Sequence, residues 1–219
     1  SGDTVNEGYF TAMLTILNHP LLDVKMTSLR DKTTPPHSFR RILHEVAGLM
    51  SASVFSHLTT QEISVETPLE HTKGFCLPEP LPCLVSILRA GNGLTDAFSA
   101  ILPEIPIGHL GLQRNPDTHH AEAYYEKLPN RITDRQIILV DPMLATGGSA
   151  IMAADRLKAH GARDILFACL VASPEGVRAV QDAHDDIPII TAAVDRELDE
   201  NFYILPGLGD AGDRIYNTV

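Results

Sequence analysis

By its pattern of apolar and polar positions the chain falls into two unlike parts. In the first, Phe39, Ile42, Leu43, Val46, Leu49, Met50 and Val54 recur at helical spacing after Pro35-Pro36. Proline suits the first turn of a helix, where its missing amide is no loss, so the spacing predicts one amphipathic helix there. Next come a short β-branched run, EISVETPL, and the proline-rich CLPEPLPC. The latter serves only as a turn or edge connection, because proline cannot donate to a central ladder. From Leu84 onward short apolar runs (CLVSIL, IPIGHLGL, QIILVD, DILFACLV, IPIITAAV) alternate with helical patterns (GLTDAFSAIL, SAIMAADRLKAHG, EGVRAVQDAH). Continuous apolar strands alternating with helices predict an α/β fold with a parallel-sheet core and helices on both faces. Gly161 follows the last periodic residue of its helix and reads as a C′ stop.

In such sheets ligands bind beyond the carboxyl ends of the strands, which directs the reading to the loops that follow them. Three stand out. In ILRAGNGLTDAF, Ile87 to Phe98, a strand runs into an arginine and two glycines and then a helix. Glycines there allow close backbone approach to an anion, and Arg89 offers a planar donor fork suited to phosphate. A plain tight turn would look the same. In IILVDPMLATGGSAIMAADRLKAHG, Ile137 to Gly161, a buried strand ends at Asp141-Pro142, and Ala145 to Ser149 open the next helix. Unpaired amides and the dipole at a helix N-terminus favour a bound anion, so this loop reads as a phosphate cradle. It reads equally as an ordinary strand-to-helix turn in which Thr146 or Ser149 caps the helix and the glycines supply positive φ. In YILPGLGDAGDRIYNT, Tyr203 to Thr218, three glycines fall within six residues beside Asp210 and Asp213. Tyr203, Ile204 and Leu208 make it a folded binding loop rather than a loose tail.

Composition narrows the partners. With 219 residues, 44% hydrophobic and 21% charged, the chain suits one domain with ample core. The N-terminal SGDTVNEGYFTAML lacks signal-peptide order and no apolar run is long enough to cross a bilayer, which gives the expectation of a soluble, cytoplasmic protein without a membrane partner. A net charge of −11 without a basic cluster argues against nucleic acid. Any anionic substrate must then be held against the overall field by local arginines, oriented amides or a metal ion. Cys76, Cys83 and Cys169, an odd number without CxxC spacing, read as reduced thiols. The pair His119-His120 reads as a solvated loop rather than a metal site.

The motifs ILRAG, VDPMLATGGS and PGLGDAGDR, in this order and spacing, closely resemble the uracil phosphoribosyltransferase family. The likeness extends to HPLL near the start, LRDKTT and FR around Arg30 to Arg40, QRN at Gln113 to Asn115, YYEKLP at Tyr124 to Pro129 and VASPEG at Val171 to Gly176, nearly the whole chain. The resemblance implies a single type I phosphoribosyltransferase-like domain over residues 1–219. A small hood from N- and C-terminal segments would lie over the base. The implied reaction is that of uracil with 5-phosphoribosyl-1-diphosphate (PRPP), giving UMP and diphosphate.

Carried over position by position, the resemblance implies that Ala145, Thr146, Gly147, Gly148 and Ser149 hold the 5-phosphate, with Asp141, Pro142, Met143 and Leu144 leading into them. Arg89 and Arg114 would face the diphosphate, with Ala90 and Gly91 giving close backbone approach. Tyr124 to Pro129 would be a mobile arm. Ile204, Gly209, Asp210 and Ala211 would read uracil, Asp210 turning toward PRPP. Asp141, Arg89, Arg114 and Asp210 are thus the implied catalytic set. The usual second strand-end acid is replaced by Pro142, so no metal site of the protein's own is expected and Mg²⁺ would arrive through PRPP. Asn92 stands where the family suggests a bulky apolar residue, and Asp199 where it suggests asparagine. The resemblance also implies a homo-oligomer, at least a dimer. The alternative is a catalytically silent nucleotide-binding homologue acting as a regulator.

Overall fold

The computed structural model of the chain describes residues 13–114 and 121–218. In chain order the elements are β1 (Leu14–Ile16), α1 (Pro20–Arg30), α2 (Pro36–Phe55), β2 (Gln61–Glu66), β3 (His71–Cys76), β4 (Cys83–Leu88), α3 (Asn92–Ile101), β5 (Ile107–Arg114), β6 (Ala121–Lys127) and β7 (Gln136–Val140). They continue with β8 (Met143–Leu144), α4 (Gly148–Ala159), β9 (Asp164–Ala172), α5 (Pro174–Ala183), β10 (Ile189–Val194), β11 (Glu197–Leu198), β12 (Ile204–Leu205) and α6 (Ala211–Tyr216).

The main sheet runs β1-β10-β9-β7-β4-β5-β6, with β8 also paired to β9. Every pairing in it is parallel except the last, where β6 returns antiparallel along β5. The strands are apolar on both sides because both sides are covered. In β7, Ile138 and Val140 face the core shared with α1, α2, α3 and α6, while Ile137 and Leu139 face the core under α4 and α5. Burial pushes the thiols of Cys83 and Cys169, inside these strands, up to about 12, so they stay protonated and unreactive.

The predicted helix after Pro35 is α2, which buries Phe39, Ile42, Leu43, Val46, Met50 and Val54. A second helix precedes it. In α1, Leu22, Met26 and Leu29 turn inward at helical spacing, but the exposed Leu21 and Val24 blur that stripe in the sequence. Gly161 ends α4 as expected, at φ +86, with its amide on the Lys158 carbonyl and that of Ala162 on Leu157, two bonds that close the helix end. The β-branched run becomes β2, paired antiparallel with β3 in a hairpin separate from the main sheet.

The N- and C-terminal segments are tied together beside the carboxyl ends of the strands. Arg30 donates twice to the Asp195 carboxylate, both at 2.7 Å, and once to the Gly207 carbonyl at 2.8 Å. Arg214 of α6 donates to the carbonyls of Leu29, Asp31 and Leu208 and lies over the Phe39 ring, 4.3 Å from its centre. These are the parts of the expected hood.

Candidate active site

The carboxyl ends of β4, β5 and β7 open into a cleft of about 280 Å³. Its walls are Ile87 to Ala90, Leu112, Asp141, Met143, Ala145 and Ser149 on the sheet side, and Phe202 to Ile204 with Gly209 to Gly212 on the C-terminal side. A recess of about 90 Å³, lined by Asp141 and Met143 to Ala150, adjoins it. Asp141, Met143, Ala145 and Ser149 belong to both.

The recess follows from how β7 stops. Pro142 has no amide to extend the ladder, and its carbonyl accepts instead from Leu170 and Val171 at 2.9 and 3.2 Å. The chain resumes as β8 alongside β9 and swings through Ala145 to Gly148 into α4. Gly147, at φ +84, is the N-cap residue and no side chain caps the helix; the Thr146 hydroxyl reaches only the Gly148 amide, at 3.4 Å. The ordinary capped turn is therefore not what is built, and the first turn of α4 faces the recess.

Behind the recess the loop is braced. The buried Ser173 hydroxyl donates to the Ala145 carbonyl at 2.5 Å and accepts the Gly176 amide at 2.8 Å, while the Ser173 amide donates to Leu144. A Cβ on Gly176 would press on the carbonyls of Leu144 and Ala145.

Arg89 follows β4 after a cis Leu88–Arg89 peptide. Its guanidinium is 5.5 Å from the centre of the Tyr216 ring and 3.5 Å from an oxygen of Asp213. Its carbonyl accepts the Tyr216 hydroxyl at 2.9 Å. Ala90 lines the cleft, but Gly91 does not: it is buried, and a Cβ there would meet the Ile87 and Val140 carbonyls and the Ser86 hydroxyl at 2.6–2.7 Å. The glycine is required by packing between β4 and β7. Asn92 accepts the Ser86 hydroxyl at 2.8 Å, so this polar departure from an expected apolar residue is satisfied internally.

Asp141 sits half-buried where cleft and recess meet. Burial drives its carboxyl up to about 7; the Met143 amide, 3.5 Å away, opposes this, and the negative charge of Asp210 adds to it. Asp210 also caps α6, accepting the Asp213 amide at 2.9 Å. Among the described residues no cluster of three or more histidine, cysteine or acidic side chains forms a metal cage.

The model of the family described as uracil phosphoribosyltransferase matches residues 16–218. The chain belongs to the uracil phosphoribosyltransferase family. It is 51% identical over 203 residues to a uracil phosphoribosyltransferase of Acidovorax ebreus (strain TPSY), covering 93% of this chain and 97% of that one. To the Dictyoglomus thermophilum enzyme of the same name it is 48% identical over 206 residues, covering 94% of this chain and 100% of the other. Among solved structures, the AQ2163 protein from Aquifex aeolicus superposes with a TM-score of 0.85 at 30% identity, over 93% of this chain and 98% of its own. The adenine phosphoribosyl transferase of Trypanosoma brucei shares the fold, with a TM-score of 0.59 at 11% identity over 91% of this chain and 89% of its own.

In this member of the uracil phosphoribosyltransferase family the cleft and recess bring together Arg89, Ala90, Asp141, Met143, Leu144, Ala145, Thr146, Gly147, Gly148, Ser149, Ile204, Gly209, Asp210 and Ala211. Pro142 is buried beneath them and lines neither. Arg114 ends β5, but its side chain, Asn115 and His119-His120 lie outside the described residues. Sequence reasoning did not single out Leu112, Phe202, Ser173 or Gly176. The last two fall in the VASPEG segment that carried the resemblance, and their part as a brace shows only once β9 lies beside β8.

Proposed function

We propose that the chain transfers the phosphoribosyl group of PRPP to uracil, giving UMP and diphosphate. The observation that carries this reading is the shared wall of cleft and recess: one open compartment and one anion-sized pocket at a helix N-terminus meet at a single carboxylate, Asp141. A sugar phosphate spans such a pair, with its 5-phosphate in the recess among the Ala145 to Ser149 amides and its ring against Asp141. Arg89, just after β4, faces the diphosphate from the cleft. Ile204 and Gly209 to Ala211 lie at the base end, where backbone donors and acceptors match the imide N–H and two carbonyls of uracil.

Uracil N1 bonds to the sugar C1, the C1–O bond to diphosphate breaks, and the N1 proton is lost. No protein nucleophile is required. Asp141 in its ionised form stabilises the positive charge that grows on the sugar as diphosphate leaves, a contribution made mainly in the transition state. The carboxylates of Asp141 and Asp210, both in the cleft wall, suit a hard divalent cation that brings most of its oxygen ligands with the diphosphate. Mg²⁺ so bound would neutralise the leaving group's charge.

The β2–β3 hairpin supports a homo-oligomer. A lone two-stranded hairpin is marginal in water, and this one exposes Ile63, Val65, Leu69 and Phe75. A second copy covering it makes the functional unit at least a dimer. No described helix is long and apolar enough to cross a membrane, and the three cysteines are free thiols, in keeping with a cytoplasmic enzyme.

The test is UMP formation from uracil and PRPP with Mg²⁺, run beside cytosine, orotate and hypoxanthine. Product with uracil alone is expected. Product with another base but not uracil would overturn the reading.

A further inference from the structure

At the tip of the turn joining β11 to β12, Phe202 carries two costs at once. Its backbone lies in the left-handed region at φ +64, which disfavours bulky side chains, and its ring is 65% exposed. Nothing in the fold of the turn demands an aromatic residue there. Asp199 holds the conformation: one carboxylate oxygen accepts the amides of Asn201 and Tyr203, both at 2.8 Å. The backbone closes the turn as well, with Asp199 N–H on the Tyr203 carbonyl at 2.8 Å and Phe202 N–H on the Asp199 carbonyl at 3.0 Å. This is the position at which asparagine was expected. A carboxylate accepts both amides with no donor of its own to place, so the departure strengthens the turn.

The cost falls on the cleft wall. Phe202 and the half-exposed Tyr203 line the cleft directly before Ile204, and Leu112 and Ala90 line the same cleft from the sheet side. Strained backbone that local bonds over-determine, with an exposed ring lining a cleft, is the kind of feature that clusters at ligand sites. We propose that Phe202, fixed by Asp199, is an aromatic lip of the nucleobase subsite that packs against the flat face of the bound pyrimidine and shields the reacting nitrogen from water. This role rests on the reaction proposed above. The ligand it recognises is a planar heterocycle, and the binding is by ring contact rather than by hydrogen bonds. Asp199 acts through the turn as a positioning residue.

The experiment compares wild type, Phe202→Gly, Phe202→Tyr and Asp199→Ala in steady-state UMP formation, with uracil and PRPP varied separately, alongside thermal unfolding. Glycine accepts positive φ without strain, so Phe202→Gly keeps or raises Tm. Its KM for uracil is expected to rise about tenfold, equivalent to about 1.4 kcal/mol, with KM for PRPP within about twofold of wild type on the same scale. Phe202→Tyr retains wild-type KM for uracil. Asp199→Ala shifts the uracil KM in the same direction as Phe202→Gly. A Phe202→Gly enzyme with unchanged KM for uracil, or with KM for both substrates raised equally, overturns the assignment. A wild-type enzyme that forms no UMP overturns the underlying reaction and this role with it.

Discussion

Tyr216, near the C-terminus, grips Arg89 at two points: its hydroxyl donates to the Arg89 carbonyl at 2.9 Å, and its ring lies 5.5 Å from the guanidinium carbon. The arginine that lines the cleft after β4 is thus held from α6, by a residue 127 positions later in the chain. Asp213 pairs with the same guanidinium at 3.5 Å. With Arg89 so exposed the ion pair itself contributes little to stability; what it fixes is direction.

Arg89→Ala is expected to lower kcat/KM for PRPP by about 2–4 kcal/mol, the range for losing a charge-assisted contact to a desolvated anion. Tyr216→Ala should show a smaller fall in the same parameter, because the arginine remains but loses its support. Steady-state kinetics with PRPP varied decide both, and unchanged constants would remove Arg89 from the site.

Asp141→Asn separates function from stability. With the folded-state carboxyl raised to about 7 from 3.8, the folded protein holds more protons than the unfolded chain across that window, so stability falls as pH rises from about 4 to 7. Asparagine removes this loss. At pH 8 the variant should be more stable than wild type by about 2 kcal/mol, a figure discounted for partial solvent access, and near equal to it at pH 4. Its turnover with uracil should fall at least tenfold. Thermal scans at the two pH values, beside kcat, check the pair of outcomes. A variant less stable at pH 8, or one of normal turnover, contradicts the account of Asp141.

Ser173→Ala tests the brace behind the recess. It strands the Ala145 carbonyl and the Gly176 amide, at a cost of about 1–3 kcal/mol, and it loosens the loop proposed to present amides to the 5-phosphate. A lower Tm together with a raised KM for PRPP is expected, while KM for uracil stays near wild type.

Arg30→Met probes the tie between the terminal segments. Asp195 is buried to 9% exposure and accepts two bonds from Arg30 and one from the Gly207 amide. Removing the arginine leaves a nearly buried carboxylate without its counter-charge, which costs about 3 kcal/mol in comparable pairs. Differential scanning calorimetry reads the loss as a fall in Tm. Asp195→Asn in the same background should recover part of it.

The sheet was legible because buried parallel strands are apolar on both faces, as in QIILV and DILFACLV, and no other element reads that way. The turn glycines were legible for the same local reason. What escaped was non-local or polar. β6, AEAYYEK, is an edge strand paired with β5 and tied by Glu126 to Arg156 and His160, and its pattern shows no buried face. β2 and β3 are exposed along nearly their whole length. Gly91 reads as part of an anion loop, and the folded packing of Ser86, Ile87 and, from β7, Val140 adds a second reason for glycine there. Ser173 and Phe202 could be quoted as letters, but their parts depend on β8 lying beside β9 and on the left-handed turn before β12. Chain order alone does not reveal either arrangement.

The central claim is tested most directly by following PRPP with uracil, Mg²⁺ and the enzyme by phosphorus NMR. The expected result is loss of the PRPP signals with UMP and diphosphate appearing one for one, and no diphosphate when uracil is omitted. Persistent PRPP, or its conversion to ribose 5-phosphate and diphosphate without UMP, would contradict the assignment of this cleft to phosphoribosyl transfer.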